Sequence, residues 1–188
     1  MMEFYNIEGV RAGQHPEIES FFNKIICDFD RIIEIGTHLG GFTLYLHKNK
    51  SENCDLISYD IEANYNEVPE HHGIDFRIGD CFKKETLLEI RDLIMEPDKR
   101  VLILCDGGHK LKEFAAFSPF LKSDDVIMLH DYGDTYQSWL PHATKVGWEN
   151  NYSGESYQGI LASVILNNLA KYMSDESESV FWGSFIKI

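Results

Sequence analysis

The chain has 188 residues, enough for one domain with a real core, and 44% of them are hydrophobic, an ordinary share for a globular protein. Its formal net charge of −14 excludes a broad nucleic-acid surface, which needs clustered Lys and Arg, and is compatible with cations and neutral small molecules. The four cysteines (Cys27, Cys54, Cys81 and Cys105) form no CxxC pair and three lie in or beside apolar runs, the pattern of reduced core thiols; no apolar run reaches the roughly twenty residues of a membrane helix, so the reading is a soluble, cytoplasmic protein without a membrane partner.

Residues 1–16, with Gly9, Gly13 and Pro16, read as an irregular lead-in. Ile18, Phe21, Phe22, Ile25 and Ile26 fall at helical spacing and predict a helix over Glu17–Cys27. A short apolar strand follows, with Ile32, Ile33 and Ile35 broken only by Glu34. It runs through Gly36, Gly40 and Gly41 into a helix over Phe42–His47. A buried strand that meets a glycine turn and a helix start is a nucleotide-binding element, because glycine lets the backbone approach a ligand and free N–H groups face it. A carboxylate inside such a strand is costly without a partner, so Glu34 is expected to hold the turn or a cationic ligand.

The second strand is Asp55–Ile61, and residues 62–73, with Pro69, His71 and His72, read as a polar loop. The third strand covers Ile74–Gly79 and meets Asp80; Lys84–Met95 is an amphipathic helix stopped by Pro97. The fourth strand, Arg100–Cys105, runs into Asp106-Gly107-Gly108-His109 and a helix that ends near Pro119. The fifth, Asp125–Leu129, meets His130-Asp131-Tyr132. Residues 133–154 read as a long loop with short turns and a candidate lid, Tyr157–Met173 as a helix, Ser174–Ser179 as an acidic turn and Val180–Ile188 as a last strand.

Alternating strands and helices predict one α/β domain over residues 1–188: a Rossmann-like, doubly wound, mostly parallel sheet with helices on both faces and an antiparallel C-terminal strand. Ligands of such sheets sit at the carboxyl ends of the strands, where this chain places Asp60, Asp80, Asp106 and Asp131. Asp60, about twenty residues past the glycine turn, suits a ribose diol, and Asp80 suits an adenine amino group. Asp106 and Asp131, on neighbouring strands, suit one shared cation such as Mg²⁺; His130 is a further candidate ligand that favours a softer metal. His109, on the turn after Asp106, is a candidate general base. Tyr132, Tyr136 and Trp139 are candidates for one wall of an acceptor site.

Gly13-Gln14-His15-Pro16, the block from Glu34 to Gly41, Tyr59-Asp60, Gly79-Asp80, Asp106 to His109 and His130-Asp131-Tyr132 together carry a resemblance. The chain resembles the class I S-adenosylmethionine-dependent methyltransferases and, more closely, the cephalosporin hydroxylase-like and macrocin-type sugar O-methyltransferases. The resemblance implies S-adenosylmethionine bound through Glu34, Gly36, Thr37, Gly40, Gly41, Asp60 and Asp80. It further implies a divalent metal, Mg²⁺ by preference, on Asp106 and Asp131, beside which His130 stays a candidate ligand, with Asp106 and His109 as catalytic groups and a hydroxylated small molecule as methyl acceptor. Three departures stand out: His130 replaces a carboxylate, Phe42 replaces a common Ser, and only one strand is visible after the long helix, which leaves room for a homo-oligomer to complete the site. Two other readings remain beside it. One is a methyltransferase-like binding or assembly protein without turnover. The other is a dinucleotide oxidoreductase, against which the chain lacks GxGxxG spacing and a Tyr-xxx-Lys pair.

Overall fold

The computed structural model describes residues 5–62 and 72–188; most of the polar loop read over 62–73, His71 included, lies outside them. The lead-in is not wholly irregular. Strands β1 (Asn6–Ile7) and β2 (Val10–Arg11) pair antiparallel around Glu8 and Gly9, whose φ values of 50° and 85° suit a two-residue hairpin turn. The helix read over Glu17–Cys27 is broken into α1 (Glu19–Phe22) and a 3-10 turn at Ile26–Asp28. Paired aromatic and β-branched residues are weak helix formers, yet Ile18, Phe21, Phe22, Ile25 and Ile26 are all buried as the spacing required.

The remaining elements are β3 (Arg31–Ile35), α2 (Gly41–Asn49), β4 (Asp55–Asp60), β5 (Asp75–Ile78), α3 (Lys84–Ile94), β6 (Val101–Cys105), α4 (Lys110–Phe117), β7 (Val126–His130), α5 (Tyr136–Val146), α6 (Tyr157–Leu166), β8 (Leu169–Lys171), α7 (Ser174–Glu178) and β9 (Trp182–Lys187). One seven-stranded sheet has the order β5-β4-β3-β6-β7-β9-β8. Its first five strands run parallel, and β9 pairs antiparallel with both β7 and β8. Strand alternation sends Ile32, Leu56, Leu102, Val126 and Trp182 into one core and Ile33, Ile57, Ile103, Ile127 and Phe185 into another, one core on each face. The order reverses between β3 and β6, which makes their carboxyl ends the ligand position.

The C-terminal third differs from the sequence reading. Residues 136–146 form a helix despite Pro141. Thr135 and Ser138 cap its start reciprocally, and Gly147 ends it in the left-handed region at φ 75°. The helix read over Tyr157–Met173 stops at Leu166, because Asn168 adopts φ 49° and the Asn167 amide donates to the Ser163 carbonyl at 2.8 Å. The freed residues become β8, so an antiparallel pair closes the sheet and the missing strand is present. The acidic turn over Ser174–Ser179 contains the short helix α7. Among the described residues no helix is long and apolar enough to cross a membrane.

Candidate functional site

Register brings the site together. Ile35 pairs with Cys105, so Gly36 leaves β3 beside Asp106 leaving β6. Gly36 has φ 99°, and a Cβ there would meet the Asp106 carbonyl oxygen at 2.5 Å. Only glycine fits this crossing. Gly41 serves a different contact: a Cβ would lie 2.6 Å from the Arg11 carbonyl oxygen, so it lets the N-terminal hairpin rest on the start of α2.

A cavity of about 690 Å³ opens at this end of the sheet; its walls include Gly36, Asp60, Ile61, Asp80, Phe82 and His109. The Asp60 carboxylate accepts from the His38 backbone N–H at 2.8 Å and, through Oδ1, from Glu62 N–H at 3.3 Å, which fixes it at the lip of the glycine turn. Asp80 Oδ1 accepts from Phe82 N–H at 2.9 Å and shapes the next turn. Ile61 and Phe82 expose apolar surface beside these carboxylates, at 66% and 39%. Apolar walls with two carboxylates at the edges suit a flat polar ring joined to a diol. His109 precedes α4, and its ring lies 6.3 Å from that of Phe82. Glu113 holds this turn: its carboxylate accepts from Gly107 N–H at 3.1 Å and His109 N–H at 3.0 Å. Burial raises the Glu113 pKa, against which the two N–H donors act. The sequence reading passed over Glu113; a carboxylate four residues past His109, where a glycine turn meets a helix start, was the available signal.

Glu34 does not line the cavity. It is fully buried under the turn, where one oxygen accepts from Thr43 Oγ and Ser58 Oγ, each at 2.6 Å. Burial pushes its carboxyl up to about 8, so it holds a proton at neutral pH and supports the turn as a neutral group. Thr37 bonds Ser58 through its hydroxyl and lines a second cavity; Gly40 stands at the start of α2 at φ 79°.

This second cavity, about 230 Å³, shares Gly36, His38 and Asp106 with the first and reaches Arg11, His130 and Asp131. Asp106 is held from both sides. Its Oδ2 accepts from the Gln14 amide at 2.7 Å, and its Oδ1 faces His130 Nδ1 at 2.8 Å. Gln14 in turn accepts from the Trp182 indole at 2.9 Å, and the His130 ring lies 4.9 Å from that of Trp182. His130 is the last residue of β7, and Asp131 turns at φ 59°. That turn swings the Asp131 carboxylate back toward His130 Nδ1, at 3.7 Å, and against Lys110 Nζ, at 3.0 Å. Burial works against charge on His130, but Asp106 and Asp131 outweigh it and raise its pKa. Burial likewise opposes charge on Asp131, and His130 and Lys110 outweigh it and lower that pKa.

The expected metal centre on Asp106, His130 and Asp131 is therefore not assembled. The three residues are neighbours, but each carboxylate is bonded to a cationic or N–H group of the chain, His130 turns Nδ1 to the carboxylates, and its Nε2 is buried without a partner. Among the described residues no three His, Cys, Asp or Glu side chains are grouped to hold a metal ion. This donor set does not fit a divalent cation. The expected aromatic wall is also corrected. Tyr132 is buried in the core, and Trp139 packs with Tyr152 and Phe181 in a cluster that pins α5; Tyr136 stays exposed and stacks on Trp139, and none of the three lines either cavity.

No protein-family model matches the chain, and no curated protein does. Solved structures match it. An apo structure of CmcI is 15% identical, covers 98% of this chain and 76% of its own, and superposes with a TM-score of 0.69. A magnesium- and S-adenosylmethionine-bound form of CmcI is 16% identical over the same shares, 98% and 76%, with a TM-score of 0.67. A geranyl diphosphate methyltransferase in complex with S-adenosylmethionine is 12% identical over 90% of this chain and 84% of its own, with a TM-score of 0.55. The chain thus has the Rossmann-like α/β fold of the S-adenosylmethionine-dependent methyltransferases, closed by antiparallel C-terminal strands.

Proposed function

We propose that this chain is an S-adenosylmethionine-dependent methyltransferase that acts on a hydroxyl oxygen of a small molecule. The observation that carries the reading is the larger cavity at the reversal of strand order, with Asp60 and Asp80 on its edge and Ile61 and Phe82 on its walls. Asp60 would take the ribose diol, Asp80 the adenine amino group and the apolar walls the ring faces. Asp106 lines the larger cavity together with His109, and in this reading it would stand beside the reacting atoms. His109 is the proton acceptor in this reading. Because it lines the larger cavity and not the smaller, the acceptor oxygen has to enter the larger one. Transfer then depends on holding oxygen, methyl carbon and sulfur in line. A methyltransferase-like binder without turnover is the second reading, supported by the internal pairing of Asp106 and Asp131.

Calorimetric titration with S-adenosylhomocysteine tests the cofactor site. One molecule is expected to bind per chain, with EDTA present. Asp60→Ala removes charge-assisted bonding to the diol, worth about 1.5–3 kcal/mol for a single bond, and is expected to weaken binding by at least roughly 10- to 150-fold. Absence of binding by the unaltered chain rejects the reading. Binding without methyl transfer to any hydroxylated acceptor supports the second one.

A further inference from the structure

Lys110 opens α4, and its ammonium reaches across to the end of β7. Nζ lies 3.0 Å from Asp131 Oδ2 and donates to the Gly107 carbonyl at 3.0 Å. The side chain is 15% exposed, so this pair is largely shielded from solvent. Asp106 and Glu155 add their charge to that of Asp131 around the ammonium. The opposite side of the two carboxylates is closed by His130 Nδ1 and the Gln14 amide. A divalent cation at this pair needs carboxylate oxygens free to coordinate it, and it repels an ammonium a few ångströms away. We infer that Lys110 supplies to the Asp106–Asp131 pair the positive charge that a divalent cation would otherwise bring, so that this site works without a bound metal.

The inference rests on the ion-pair geometry; its consequence for catalysis rests on the methyltransferase reading. Two of the three ammonium hydrogens are engaged by Asp131 and Gly107. Lys110 lines neither cavity, so it would act through the carboxylates it neutralises, as a positioning residue and a point charge and not as a direct contact to the acceptor.

Mn²⁺ binding followed by electron paramagnetic resonance on the purified full chain tests it, with S-adenosylhomocysteine calorimetry in EDTA run in parallel. The unaltered chain is expected to show no stoichiometric Mn²⁺ site. Lys110→Met, which leaves Asp131 without its ammonium while His130 and Gln14 stay on Asp106, is expected to raise Mn²⁺ affinity at least about tenfold, a gain removed by adding Asp131→Asn. Lys110→Arg keeps the charge and is expected to show no gain. One Mn²⁺ per unaltered chain, lost in Asp131→Asn, overturns the inference. So does a folded Lys110→Met variant that gains nothing. If Lys110→Met does not fold, the comparison of the unaltered chain with Asp131→Asn decides. Failure to bind S-adenosylhomocysteine rejects the cofactor reading and leaves the Mn²⁺ result standing.

Discussion

Glu34→Gln separates a neutral buried carboxyl from a charged one. In the folded chain, burial pushes the Glu34 carboxyl up to about 8 from its ordinary 4.5. A raised carboxyl pKa means that its contribution is fully present below the unfolded value and is lost as pH rises to the folded one. Each pH unit in that window is worth ~1.4 kcal/mol, so the whole loss approaches ~5 kcal/mol. Glutamine does not titrate. Its carbonyl oxygen can still accept from Thr43 and Ser58, but its amide must occupy the place of Oε1, which has no partner. The neutral wild-type carboxyl leaves one O–H unmet there and the amide leaves two N–H, and the extra unmet donor costs about 1–3 kcal/mol. The wild type is therefore expected to be the more stable protein near pH 5, and the variant the more stable by about 2–4 kcal/mol above pH 8, crossing between about pH 5 and 7. Urea unfolding of both proteins at successive pH values measures the difference, and the other titrating groups cancel between them. A difference that stays constant from acid to alkaline pH would falsify the neutral carboxyl.

Two further substitutions test the site. His109→Asn removes the proposed proton acceptor from the cavity wall; turnover with a competent acceptor is expected to fall by about 10²–10⁴-fold while S-adenosylhomocysteine affinity is kept, and an unchanged kcat removes His109 from the mechanism. Gly36→Ala meets both a left-handed φ of 99° and backbone atoms of Asp106 2.5 Å away. Strain of about 1–3 kcal/mol and crowding of about 1–3 kcal/mol are expected to lower Tm by roughly 5–20 °C, and a melting curve that coincides with the wild type refutes the close crossing.

The parallel half of the fold was legible because its central strands carry apolar runs, β5 alternates with Phe76 and Ile78, and most of the strands meet a carboxylate. Asp60, Asp80, Asp106 and Asp131 were found from position alone, and the structure puts all four at the carboxyl end of the sheet. The C-terminal third was harder for identifiable reasons. Pro141 and Gly147 read as loop residues although a capping box and a left-handed C-cap make them compatible with α5. In Tyr157–Met173 the apolar spacing runs on past Asn167 and Asn168, so periodicity hid the break that only a left-handed Asn reveals. The pairing of Lys110 with Asp131 had no local signal, since the two residues come from different β/α units and meet only when β6 and β7 pair. The metal reading loses its support at that point. It counted the acidic groups at the strand ends and had no means of placing the cation that answers them.

Asp106 shows how distant parts of the chain converge on one carboxylate. Gln14, from the lead-in, fixes one of its oxygens; His130, from the end of β7, fixes the other; and Trp182, at the start of the last strand, fixes Gln14. Trp182 also pairs with His130 across the sheet, so both supports of Asp106 are tied to one residue of β9. The carboxylate cannot rotate to either side without giving up a bond to a buried group, and an unmet buried polar group costs about 1–3 kcal/mol. A charge held in this way pays its reorganisation during folding and not during reaction, which is the condition for a site that acts by pre-organised electrostatics. The Rossmann-like core alone supplies the position of Asp106. Its orientation comes from His130 at the end of β7 and from Gln14 and Trp182 near the two ends of the chain, so residues as far apart as Gln14 and Trp182 meet at one carboxylate.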